Sequence, residues 1–106
     1  MYTFSVDDSS YLEQHNREIR VYQTKVFKNN EPLVDGLSLF IRDKNYWVQF
    51  SRSFKKNPER LQFLPGHWLF SENERAVLVV PENLPADEVE GLRRHLEKPE
   101  HGSEIF

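Results

Sequence analysis

The residues with the widest chemical scope are the histidines, His15, His67, His95 and His101, since imidazole can ligate metals and exchange protons near neutral pH. No two of them fall at the spacing that sets a pair of imidazoles on one helix face toward a metal. The nearest cluster of ligand types, His95, Glu97, Glu100 and His101, straddles Pro99, where a helix must stop. Serines are present, but none sits in a nucleophile elbow, and a Ser-His-acid set can be chosen from almost any chain. The adjacent carboxylates have simpler accounts: Glu72 and Glu74 belong to a turn, and Asp87 and Glu88 complement the positive end of a helix. Four scattered glycines make no phosphate-cradling loop. No metal, no cofactor and no catalytic constellation is expected, and the chain is read as a non-enzyme.

One group of residues does suggest binding. Residues 37–50 read LSLFIRDKNYWVQF, and a turn at Arg42-Asp43-Lys44-Asn45 makes them a hairpin with Phe40 opposite Trp47. Leu37, Leu39 and Ile41 then share an apolar face with Tyr46, Val48 and Phe50. A one-residue slip would mix apolar and polar side chains on both faces. Phe40 and Trp47 are left on the second face, either covered by another layer or open to water. Exposed, they would form an aromatic platform beside Arg42, Lys44, Arg52, Lys55, Lys56 and Arg60, with Phe54 nearby. Aromatic rings and arginine dominate the energetics of protein interfaces, and rings that stack on bases beside a basic groove bind single-stranded nucleic acid.

The composition limits what surrounds that platform. The 106 residues make one domain over 1–98, with a C-terminal tail at 99–106. Eight Phe, four Tyr and two Trp give an aromatic core and argue against a disordered chain. The sequence has no cysteine, which removes disulfides and thiolate chemistry and fits a reducing cytoplasm. Neither a signal peptide nor a membrane span is read from it. The net charge of −3 is unevenly spread: residues 42–60 hold six basic and two acidic residues, and residues 72–104 hold nine acidic and four basic. Such a dipolar chain is suited to steering a charged partner.

The elements follow from patterning. Tyr2, Phe4 and Val6 alternate as a first strand, and Asp8, Ser9 and Ser10 offer capping for a brief helical turn through Tyr11 and Leu12. Residues 18–28 form a longer strand whose apolar parity changes between Val21 and Thr24, which a bulge near Gln23 would explain. Asn29-Asn30-Glu31-Pro32 and Asp35-Gly36 are turn chemistry and lead into the hairpin. Residues 51–58 form a basic, polar connection, and residues 61–64 and 67–70 are short strands around Pro65-Gly66. Ala76 to Val80 is apolar at every position and so is a central strand covered on both faces. Pro85 opens a helix with Val89, Leu92 and Leu96 as its apolar stripe, Leu84 as a staple, and Gly91 marking close approach to the sheet.

The order gives an α+β fold: an antiparallel meander or rolled partial barrel of six or seven strands with one C-terminal helix. That order is compatible with a pleckstrin-homology-like barrel or with an open sheet covered on one side. The function expected is a small interaction or regulatory module that binds a macromolecular partner, a protein first, through the aromatic and basic sheet face. Single-stranded nucleic acid is the alternative, and homo-oligomerisation is left open.

Overall fold

In the computed structural model, which describes residues 1–8, 12–13, 18–62 and 64–98, an antiparallel sheet lies between two helices. The strands are β1 (Tyr2–Val6), β2 (Leu12–Glu13), β3 (Ile19–Lys28), β4 (Glu31–Ile41), β5 (His67–Ser71) and β6 (Ala76–Val80). The helices are α1 (Lys44–Lys56), the single turn α2 (Pro58–Leu61) and α3 (Ala86–Glu97). Five strands run in the order β1-β3-β4-β6-β5, and the two-residue β2 pairs β3 beside that path. The main path is thus five strands rather than six or seven, and it stays an open sheet instead of rolling into a barrel. No helix of the described residues is long and apolar enough to cross a membrane.

The fold is α+β, as its patterning implies, and β6 explains its layering. All five β6 residues are buried. Ala76, Leu78 and Val80 join Val26, Leu69 and Leu84 under Val89, Leu92 and Leu96 of α3. Val77 and Val79 point the other way and join Ile19, Val21, Leu39 and Ile41 under Trp47 and Phe50 of α1. Alternation of side chains along a single strand therefore feeds two cores. A second helical layer on the α1 side is what makes the uninterrupted apolar run necessary.

The parity change in β3 has the same origin and needs no bulge at Gln23. Pairing with β4 runs regularly from Ile19↔Ile41 to Val26↔Val34, and the register shifts only between Val26 and Phe27. Ile19 and Val21 face α1, whereas Thr24 and Val26 lie beyond its reach and face the α3 side, where Val26 enters that core. The buried hydroxyls of Thr24 and Ser38 bond each other, which removes the cost of enclosing them. Asn29 and Asn30, with φ of 52° and 66°, close the β3–β4 hairpin as a two-residue turn of the primed kind, whereas Asp35 and Gly36, expected as a turn, continue β4 in regular pairing with Lys25 and Thr24.

Helix α3 forms as its sequence requires. Leu92 and Leu96 are fully enclosed, and Leu84 packs ahead of the first turn. Glu90 pairs with Arg93 at 2.7 Å and with Arg94 at 3.6 Å on the outer surface. Gly91 does mark a close approach: a Cβ there would lie 2.5 Å from the Tyr2 hydroxyl oxygen. Lys28 donates to Glu88 at 2.6 Å and Tyr2 donates to the same carboxylate at 3.4 Å, tying β1 and the β3 end to the helix. Burial, and then the Glu88 carboxylate, push the Tyr2 phenol above its ordinary value. The hydrogen bond to Glu88 does the same for Lys28.

Several expected features lie outside the described residues: the capping segment at Ser9 to Tyr11, His15, Phe63, and the tail at 99–106 with Glu100 and His101.

Candidate functional site

The hairpin expected over residues 37–50 does not form. Its first half is the end of β4, and its second half is α1. Asp43 is the N-cap: its carboxylate accepts from the Tyr46 backbone N–H at 2.8 Å, satisfying a donor that a helix start would otherwise orphan. From Lys44 the chain runs thirteen residues without glycine or proline and ends with Lys55 and Lys56 in the last turn, where the helix dipole favours cations. The residues proposed as a basic connection at 51–56 are the second half of this helix, and Leu61 closes α2 instead of beginning a strand.

Helical geometry redistributes the aromatics. Trp47 and Phe50 are buried and Phe54 is half-buried, all on one stripe. Phe54 stacks on Trp68 at 5.2 Å and meets Phe70 at 4.9 Å, while Trp47 lies 5.8 Å from Phe70. Trp47 is only 4% exposed. Its indole N–H donates to Glu72 at 2.9 Å, so the polar edge of the ring is also engaged. Phe40 sits on the opposite face of the sheet, half-buried against the α3 core and 5.8 Å from Tyr22. The two rings therefore share no face, and the platform built on their cross-strand pairing is absent. Val48, assigned to the core by the strand reading, is 39% exposed.

The basic half of the expected site is brought together. Helix α1 has no acidic residue, and Lys44, Arg52, Lys55 and Lys56 all lie on its exposed side. Arg42 precedes the helix and Arg60 follows in α2, both exposed. Among the described residues, no ion pair engages the side chains of these six bases. The base of the helix is fixed by β-structure: Ile41 donates its N–H to the Arg75 carbonyl at 3.0 Å, and the Arg75 guanidinium donates to the Arg42 carbonyl at 2.9 Å. The aromatic cluster thus holds one side of α1 rigidly on the sheet while the other presents unpaired positive charge. The opposite layer has the reverse sign, with Asp87, Glu88, Glu90 and Glu97 against Arg93 and Arg94 on α3.

A groove of about 880 Å³ opens on the part of the sheet that α1 leaves uncovered. Its described lining sets Asp7, Asp8 and Asp35 against one base, Lys25. The two described histidines stand elsewhere: His67 Nε2 lies 3.2 Å from the Glu82 carbonyl, and His95 packs its ring against Tyr2 and Phe4. No group of three or more potential metal ligands occurs among the described residues. Comparison of the chain with protein-family models, with curated proteins and with solved structures returns no match.

Proposed function

We propose that this chain is a small, non-enzymatic interaction module that binds a protein partner through the outward face of α1. The observation that carries this reading is the face itself: Lys44, Arg52, Lys55 and Lys56 gathered on one thirteen-residue helix without a carboxylate among them. Like charges so placed repel one another, and among the described residues no ion pair offsets that repulsion, which suits the face to an external anion. The aromatic component of the expected site drops out of the proposal, because Trp47 and Phe40 are engaged in separate cores. A regulatory role in a reducing cytoplasm is the setting that a cysteine-free binding domain suits.

Single-stranded nucleic acid is the less supported partner, since the ring that would stack on a base is the buried Trp47. The test is co-purification of the full chain from the cells that encode it, alongside a variant carrying Arg52→Glu, Lys55→Glu and Lys56→Glu. These side chains are exposed, so Arg52→Glu should change stability by less than about 0.5 kcal/mol, and each last-turn lysine reversal should cost about 0.3–1 kcal/mol through the helix dipole. A partner protein recovered with the parent and lost with the variant supports the reading. Equal recovery with both, or recovery of nucleic acid alone, refutes it.

A further inference from the structure

Resting on the reading of α1 as a docking face, we infer that its partner is an acidic protein segment carrying one apolar side chain between carboxylates, seated on the stripe Lys44–Val48–Arg52. Val48 and Met1 are the large hydrophobic residues exposed among the described residues. Val48 stands one helical turn from Lys44 on one side and one turn from Arg52 on the other, with Lys55 seven residues along the same stripe. Four residues of helix span about 6 Å. The face therefore presents cation, apolar contact and cation at intervals of about 6 Å, and the complementary segment carries carboxylate, apolar group and carboxylate at the same interval. A partner helix supplies that spacing with side chains four apart, and an extended strand supplies it with alternate residues.

The valine separates this partner from other polyanions. Phosphate backbones offer charge with no apolar group to cover Val48, and α1 turns its aromatic rings inward, away from any base. A lipid surface would need the larger apolar face of an interfacial helix, whereas this outward face is lysine, arginine, asparagine, glutamine and serine around a single valine. The negative charge on the α3 layer further disfavours a wide anionic surface and favours a narrow segment that touches α1 alone.

The experiment is a double-mutant cycle read by NMR titration of the isotope-labelled full chain. Two synthetic twelve-residue peptides serve as probes, one with glutamates flanking a central leucine and its twin with serine in place of leucine. Each is titrated into the parent chain and into Val48→Ala, an exposed substitution that leaves the cores untouched. The expected result is shifts confined to α1, about five-fold tighter binding of the leucine peptide by the parent, and near-equal binding of the two peptides by Val48→Ala. Equal affinity of the parent for both peptides, a leucine preference that survives in Val48→Ala, or no binding of either peptide overturns the inference. Tighter binding of a dodecathymidylate or of phosphatidylserine vesicles than of the leucine peptide overturns it as well. If the charge-reversed variant still loses its native partner while the two peptides bind equally, the docking face stands and only this account of its partner falls.

Discussion

Replacing Trp47 with alanine should destabilise the fold by about 3–5 kcal/mol, the usual cost of deleting a large buried aromatic. Three contributions make up that figure. The ring is almost wholly enclosed and belongs to the α1 core with Phe50, Trp68 and Val77, so its removal leaves a cavity. It packs against Phe70 at 5.8 Å, a contact worth about 0.5–1.5 kcal/mol. Its N–H donates to Glu72, and that bond contributes about 1 kcal/mol. Alanine's better helix propensity returns about 0.5 kcal/mol. For a domain of this size the midpoint should fall by roughly 15–30 °C. Urea denaturation followed by circular dichroism measures the change directly, and Trp68 remains as a fluorescent reporter. Trp47→Phe should recover more than half of the loss, because it keeps a ring on the stripe. A loss below about 1 kcal/mol for Trp47→Ala, with unchanged cooperativity, would refute the account of Trp47 as a core residue and return it to the surface.

Gly36→Ala should cost about 1–3 kcal/mol in chemical denaturation, since the new Cβ would lie 2.6 Å from the Val79 carbonyl oxygen, which cannot move without breaking the β4–β6 ladder; an unchanged midpoint contradicts that packing. Alkaline pH should weaken the tie between β1, β3 and α3. Tyr2 and Lys28 have folded-state values raised above 10.0 and 10.5, so their contributions are complete below about pH 10 and disappear as pH rises through the folded values. Urea midpoints between pH 8 and pH 11 should therefore fall further for the parent than for Glu88→Gln, and parallel curves would show that Glu88 does not couple to either group.

The terminal helix and β1 are legible in the sequence because each carries a single unambiguous period, alternation in Tyr2, Phe4 and Val6 and helical spacing in Val89, Leu92 and Leu96, while β6 is legible as a short unbroken apolar run and β5 from the Pro65-Gly66 turn before it. Residues 44–56 carry two periods. Tyr46, Val48 and Phe50 satisfy the period of a strand, while Trp47, Phe50 and Phe54 satisfy that of a helix, and the apolar alternation of β4 just upstream biased the choice toward a strand. Two signals favour the helix: the capping Asp43, and a run with no glycine at the place where a tight hairpin would turn. The basic residues of the candidate site survive the change because they are exposed under either reading. The aromatics do not, because moving from a period of two to 3.6 turns Trp47 from the face it was assigned to toward the core. The parity change in β3 mimics a bulge for a related reason, as the pattern of one strand cannot reveal that each end is covered by a different helix.

The position of β6 between β4 and β5 has a consequence for how the chain assembles. β5 and β6 are joined by a tight turn and can meet early, but β6 reaches β4 only by bridging the long excursion through α1. Until that seam closes, AVLVV stands with one margin bare and both sides greasy, carrying neither charge nor proline to deter a stranger. The ribosome-fresh or refolding molecule is therefore most at risk of sticking to its neighbours in the interval before β6 is enclosed between β4 and β5.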